Sequence, residues 1–102
     1  MTELPVACSL SDPELKEREA GTLRRVRERI EEVRELEAGY ALRFAAEDGA
    51  LEDLFEVIRL ERKCCPFLRF GLVVPPGGEP VWLELTGPEG TKEFLRDLGL
   101  VG

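Results

Sequence analysis

The sequence predicts a single α+β domain over residues 1–102, with an antiparallel sheet and its helices on one face. Three observations predict this class. A chain of 102 residues has the size of one domain with a modest core. Segments with apolar residues at helical spacing are interspersed with segments whose apolar residues recur every second position. The resulting order, β-α-β-β-α-β-β-α, starts with the ferredoxin-like β-α-β-β-α-β pattern and adds a fifth strand and a C-terminal helix.

The first two elements are predicted to be a short strand over residues 5–10 and a charged helix that runs to about Ile30. The strand has apolar residues at a spacing of two, namely Val6, Cys8 and Leu10. Ser11 or Asp12 is expected to cap the helix, because short polar side chains accept hydrogen bonds from its first backbone amides. Pro13 suits the first helical position.

A hairpin and a second helix are predicted next. The segment 31–45 could continue the first helix through Glu37, but alternation favours a strand and a turn near Ala38-Gly39. The alternating apolar residues are Tyr40, Leu42 and Phe44. The second helix, residues 51–63, has apolar residues at i, i+3, i+4 and i+7, which are Leu51, Leu54, Phe55 and Ile58.

The last third of the chain is predicted to form two strands and a helix. The first strand alternates through Leu68, Phe70, Leu72 and Val74, and the second through Val81, Leu83 and Leu85. The stretch PPGGEP between them is a turn. Pro88 is expected at the first position of the last helix and Gly99 just beyond its end.

Composition and charge exclude several classes of function. The net charge is −7, and the one basic run, RRVRER, is followed after Ile30 by two glutamates, so nucleic acid is not an expected partner. Apolar runs are too short to span a bilayer, and the N-terminus lacks a secretory pattern, so a cytoplasmic location is expected. Histidine, asparagine and glutamine are absent. Their absence removes imidazole chemistry and, with abundant arginine and glutamate, suggests a thermophilic source.

The three cysteines, Cys8, Cys64 and Cys65, are the candidate metal ligands. The ferredoxin-like order would place the first and fourth strands side by side, and so bring Cys8 to the adjacent pair. Adjacent cysteines suit a structural disulfide poorly. Thiolates select soft ions such as Cu(I) and Zn(II), and by the same argument Hg(II) or As(III). Structural zinc is less favoured, because it usually has four Cys or His ligands.

Two other interpretations of the cysteines stay open. Cys65 follows Ile58 by seven residues, which favours a buried core position in a non-catalytic interaction module. A thiol redox protein would instead need a thiol of low pKa. Arg62 and Lys63 would lower the pKa of the thiols, whereas the C-terminal end of the preceding helix would raise it. The scattered carboxylates give no pair that stands out as general acid and base, so enzymatic activity is not expected.

Four stretches of the chain fit a set of motifs, namely ACSLSDPEL, GYALRF, ERKCCPFLRF and VWLELTGPEGTKEFL. The motifs are A-C-x-L, E-R-x-C-C-P-F and a G-P-E-G-related end. In these motifs the chain resembles a family of small uncharacterised bacterial proteins associated with mercury- and arsenic-resistance gene clusters. The resemblance implies that Cys8, Cys64 and Cys65 form a thiol site for a soft metal or metalloid. The chain also resembles heavy-metal-associated domains in outline, but Cys8 has no second cysteine three residues later.

Self-association is predicted through the C-terminal hairpin. Strand alternation puts Val73 and Trp82 on the face opposite Leu72, Val74, Val81 and Leu83. A tryptophan on an open sheet face is more often an interface anchor than a solvent-exposed residue. Arg69 and Glu84 could form a polar rim around it. The predicted partner is a second copy of the chain.

Overall fold

A computed structural model describes residue 6 and residues 11–101. The elements in these residues are α1 (Pro13–Arg29), β1 (Glu32–Leu36), β2 (Gly39–Phe44), α2 (Asp48–Cys64), β3 (Arg69–Val73), β4 (Val81–Thr86) and α3 (Thr91–Asp97). The strands form one antiparallel sheet in the order β1-β2-β4-β3. The predicted α+β class with an antiparallel sheet is therefore confirmed. Within the described residues, no helix is long and apolar enough to cross a membrane.

The predicted ferredoxin-like order with a fifth strand is not confirmed. That order would place the N-terminal strand between β2 and β3. In the described sheet this position belongs to β4, which pairs with β2 on one side and with β3 on the other. The turn between β3 and β4 joins neighbouring antiparallel strands directly, as a hairpin does. The predicted strand over residues 5–10 lies, apart from Val6, outside the described residues, and so does Cys8.

The first helix and the first hairpin form as predicted. The Asp12 carboxylate accepts hydrogen bonds from the backbone amides of Glu14 and Leu15, at 2.9 and 3.4 Å, so it is the helix cap. The chain then leaves the helix, because Ile30 has an extended backbone. A two-residue turn separates β1 from β2, so the alternative of a continuous helix through Glu37 is wrong.

The core covers one face of the sheet. It contains strand residues and residues of all three helices, including Leu23, Val26, Leu42, Phe44, Leu54, Val57, Val81, Leu83, Leu85 and Leu95. Trp82, on the other face, is only half-buried. The alternation predicted for β4 is thus confirmed. Val74 departs from its predicted core position, because it lies beyond the end of β3 and is 55% exposed.

The predicted apolar stripe of α2 is partly wrong. Leu54 is buried, but Phe55 is 55% exposed. The buried positions are Ala50, Leu54, Val57, Leu60, Glu61 and Cys64, which recur every three or four residues along one face. Apolar spacing alone does not identify this face, because the face includes Glu61. The helix also runs one residue further than predicted, to Cys64, so the cysteine pair belongs to its C-terminal end.

The last helix starts later than predicted. Gly90 precedes it as the cap with a φ of 97°, a left-handed backbone that favours glycine. Pro88 is therefore not its first residue. The Pro88 carbonyl instead accepts hydrogen bonds from the Thr91 backbone amide at 3.1 Å and the Thr91 hydroxyl at 2.6 Å. Gly99, with a φ of 80°, follows the helix as predicted.

Candidate thiol and carboxylate site

The cysteine pair lies where α2 ends and the chain turns toward β3. Glu61 precedes Cys65 by four residues, so the two side chains lie one above the other on the same helix face. The Cys65 amide donates the last helical hydrogen bond to the Glu61 carbonyl at 2.6 Å. Its own carbonyl accepts from the Leu68 amide at 3.0 Å. These backbone bonds fix the two side chains relative to each other.

Three donor atoms form a compact cluster. The Cys65 thiol donates a hydrogen bond to Glu61 Oε2 at 3.3 Å. The sulfur atoms of Cys64 and Cys65 and a carboxylate oxygen of Glu61 all lie within 4.8 Å of one another. Both cysteines are 0% exposed and Glu61 is 2% exposed. Cys64 is in a disulfide bond, whereas Cys65 is a free thiol.

Glu61 lies in an apolar pocket of the core. Val26, Val57 and Leu68 are among the side chains that line a cavity of about 10 Å³ beside it, barely enough for one water molecule. Burial raises the pKa of Glu61 to about 8, and the neighbouring Glu19 raises it further. A carboxylate in apolar surroundings holds its proton, because the charged form has lost its hydration.

Two carboxylate oxygens of this region are buried without a hydrogen-bond partner, Glu61 Oε1 and Glu19 Oε2. Glu19 comes from α1, so the two glutamates meet where α1 packs against α2. Buried polar atoms without partners are rare in folded proteins. A proton shared by the two carboxyl groups, or a bound cation, would satisfy Glu61 Oε1.

The thiol of Cys65 is also held in its neutral form. Burial raises its pKa above the usual range, and the charge and hydrogen bond of Glu61 raise it further. Arg62 and Lys63 have exposed side chains. The pKa of Cys65 is thus raised by burial and by Glu61, and neither of the two effects considered from the sequence is its cause. Cys65 lacks the exposure and low pKa of a reactive thiol.

Two of the three predicted site residues meet in the structure. Cys64 and Cys65 lie together, and Cys8 lies outside the described residues. Glu61 was missed, although a sequence signal for it exists. It is four residues before Cys65, and it continues the spacing of the buried residues Leu54 and Val57.

The fold and the site define a class: an α+β domain with a buried cluster of thiols and a carboxyl group at the C-terminal end of a helix. No protein-family model, curated protein or solved structure matches the chain. The resemblance carried by the cysteine motif therefore stays a prediction.

Proposed function

We propose that the protein binds one soft metal or metalloid ion through the thiolates of Cys8, Cys64 and Cys65. The observation that supports the proposal is the cluster of sulfur and oxygen donor atoms within 4.8 Å at Cys64, Cys65 and Glu61. Sulfur donors at this spacing can close around one ion after small side-chain movements. Soft sulfur ligands favour ions such as Hg(II), As(III), Cu(I) and Zn(II).

The proposed binding form is the reduced protein. A disulfide sulfur has no thiolate charge to offer, so the bond at Cys64 must be reduced before the ion binds. A reducing cytoplasm would supply that condition. The ion would then displace the thiol proton of Cys65, since metal ligands bind as thiolates and binding releases protons.

Stoichiometric binding by the reduced protein tests the proposal. The protein is reduced with a phosphine, which does not compete as a thiol would, and titrated with Hg(II) or phenylarsenoxide. We expect one equivalent to bind, measured by mass spectrometry under native conditions. A ligand present at a hundred times its Kd stabilises the fold by about 2.7 kcal/mol, so the melting temperature should rise by roughly 10 °C or more.

Cysteine variants locate the binding. The double variant Cys64→Ser with Cys65→Ser should lose the bound ion and the thermal shift, and Cys8→Ser should weaken both. The unreduced protein serves as the matched control, because Cys64 is blocked in it. A reduced wild-type protein that ignores both reagents would contradict the proposal.

A second candidate is a non-catalytic module whose cysteines stabilise the core. It is favoured by the complete burial of Cys64 and Cys65 within the apolar cluster and by the disulfide at Cys64. A disulfide stabilises a fold mainly by restricting the unfolded chain. Under this candidate, reduction lowers the melting temperature and no ion restores it, whereas the metal proposal expects the ion to raise it.

We also propose that the open face of the sheet is a homodimer contact. Val73 and Trp82 are register partners on β3 and β4, and Val73 is 45% exposed. The Arg34 guanidinium lies 4.5 Å from the centre of the Trp82 ring. The open face therefore presents an aromatic ring and a positive charge next to each other. An isologous contact would pair this patch with itself across a two-fold axis.

A further inference from the structure

We infer that Glu61 is itself a ligand of the bound ion, so that the site takes a borderline divalent ion, Zn(II) or its larger analogue Cd(II), in a mixed sulfur and oxygen shell. The inference rests on the proposed function and specifies its ligand set. It concerns a residue that no cysteine motif includes.

The geometry of Glu61 supports a ligand role. One carboxylate oxygen already lies within 4.8 Å of both sulfur atoms, and Oε2 is 3.3 Å from Cys65 Sγ. The side chain cannot turn to solvent, because it is 2% exposed. An ion bound between the two sulfurs would therefore have this carboxylate as an immediate neighbour.

The unpaired carboxylate oxygen of Glu61 supports the same ligand role. Glu61 Oε1 is buried with no hydrogen-bond partner. Its pocket is lined by apolar side chains from α1, α2 and the sheet, which offer it no compensating charge. A buried polar atom costs stability when it is left unpaired. A cation would turn that cost into a favourable interaction, since buried charges are paired or coordinate metals.

Coordination chemistry then selects the ion. Zn(II) is bound by thiolates and carboxylate oxygens and is almost always four-coordinate in structural sites. Cys64, Cys65 and Glu61 supply three donors, and a further thiolate or a water molecule would complete the shell. The carboxylate thus adds a ligand that the two cysteines alone lack. Trivalent arsenic, by contrast, binds thiols and has no need of the carboxylate.

Glu19 is the neighbour of the site and not one of its ligands. It is close enough to affect Glu61, but it does not belong to the set of donors within 4.8 Å of one another. Its side chain is also only partly buried. The inference is therefore specific to one of the two glutamates.

Two probes applied to the same reduced protein test the inference. Cd(II) and Zn(II) require the full ligand set, whereas phenylarsenoxide requires only two thiols. Glu61→Gln keeps the size of the side chain and removes its charge. We expect this substitution to weaken Cd(II) and Zn(II) binding by roughly tenfold or more, because even changes beside a metal ligand cost 10- to 100-fold. Phenylarsenoxide binding should stay within a few-fold of wild type.

The control variant is Glu52→Gln, the same change at an exposed position of the same helix, which should leave both probes unaffected. Equal weakening of both probes by Glu61→Gln would show that Glu61 acts only through the thiols and would overturn the inference. Unchanged Cd(II) affinity would overturn it as well. A wild type that binds phenylarsenoxide but not Cd(II) or Zn(II) would refute the ligand set while the proposed function stands. Binding of none of the probes would refute both.

X-ray absorption on the Cd(II)-loaded wild type gives an answer that does not depend on the folding of any variant. We expect oxygen as well as sulfur in the first shell. A shell of sulfur alone would overturn the inference.

Discussion

The same residue type behaves in opposite ways in two regions of this molecule. Glu61, in the helix layer above the sheet, has its pKa raised to about 8, chiefly by burial. Glu32 and Glu35, on the exposed edge strand β1, have their pKa values lowered, chiefly by hydrogen bonds from Arg34 and Lys92 respectively. Arg34 and Lys92 form salt bridges with the two edge-strand carboxylates, whereas Glu61 has no salt bridge among the described residues.

The difference shows how each region obtains its polar contacts. On the sheet edge, Arg34 donates to Glu32 at 2.8 Å and Lys92 donates to Glu35 at 2.7 Å, and water can replace either bond when it breaks. In the core, water has almost no room beside Glu61. An uncompensated carboxyl group in such a place is either neutral or paired with a bound cation.

The largest expected effect comes from making Glu61 permanently neutral. Its pKa in the folded, metal-free protein is raised from 4.5 to about 8. The folded state is therefore most stable below the unfolded pKa and loses stability as the pH rises through the folded value. Glu61→Gln should remove this loss and, above pH 8, raise the free energy of unfolding by roughly 1–3 kcal/mol. Urea unfolding of both proteins between about pH 4 and 9, a range that brackets both pKa values, measures it.

Cys65, at the end of α2, also has a raised pKa, so the comparison must be with the wild type at each pH. The exposed substitution Glu52→Gln should leave the pH dependence of the wild type unchanged. If Glu61→Gln and the wild type lose stability in parallel as the pH rises, the description of Glu61 as a buried neutral acid is wrong.

The sequence was sufficient to predict those features that depend on local patterns. The cap at Ser11 or Asp12, the first hairpin and the buried face of β4 all follow from residues close together in the chain. Cys64 and Cys65 could be singled out because they are adjacent. Glu61 was missed, because a hydrophobic pattern assigns a charged residue to the solvent side of a helix; its spacing from Leu54 and Val57 was the signal that could have placed it on the buried face.

The features that were missed depend on contacts between distant segments. The position of β4 between β2 and β3 results from competition among strands for partners, which the alternation of each strand does not encode. Glu19 and Glu61 are 42 positions apart in the numbering and meet only because α1 packs on α2. The raised pKa values of Glu61 and Cys65 follow from that packing.

An intermediate effect is expected on the open face of the sheet. If Val73 and Trp82 anchor a homodimer, Trp82→Ala should weaken association by about 2 kcal/mol, the lower limit for an interface hot spot. That is about 30-fold in the dimer Kd. Analytical ultracentrifugation over a range of concentrations measures it. The core cluster lies on the other face, so the substitution should leave ion binding unchanged.

Phe55→Ala is the matched control for this face, because Phe55 is an exposed aromatic residue on α2 and not on the sheet. It should leave association as in the wild type. A wild type that stays monomeric at high concentration, or a dimer indifferent to Trp82→Ala, would exclude this face as the contact.

The smallest effect is expected from Glu35→Gln, which removes the ion pair between β1 and α3. The Lys92 ammonium lowers the pKa of Glu35, so the pair contributes stability above the unfolded pKa and loses it as the pH falls. Because Glu35 is exposed, solvent and salt screen the pair. The difference between Glu35→Gln and the wild type should be small at neutral pH and low salt, and it should vanish both at acid pH and at high salt.

Glu37→Gln, an exposed change in the adjacent turn, is the control in the same thermal denaturation series. An effect of Glu35→Gln as large as that of Glu61→Gln would mean that ion pairs on the sheet edge matter as much to the fold as the buried carboxyl group, and the contrast between the two regions would fail.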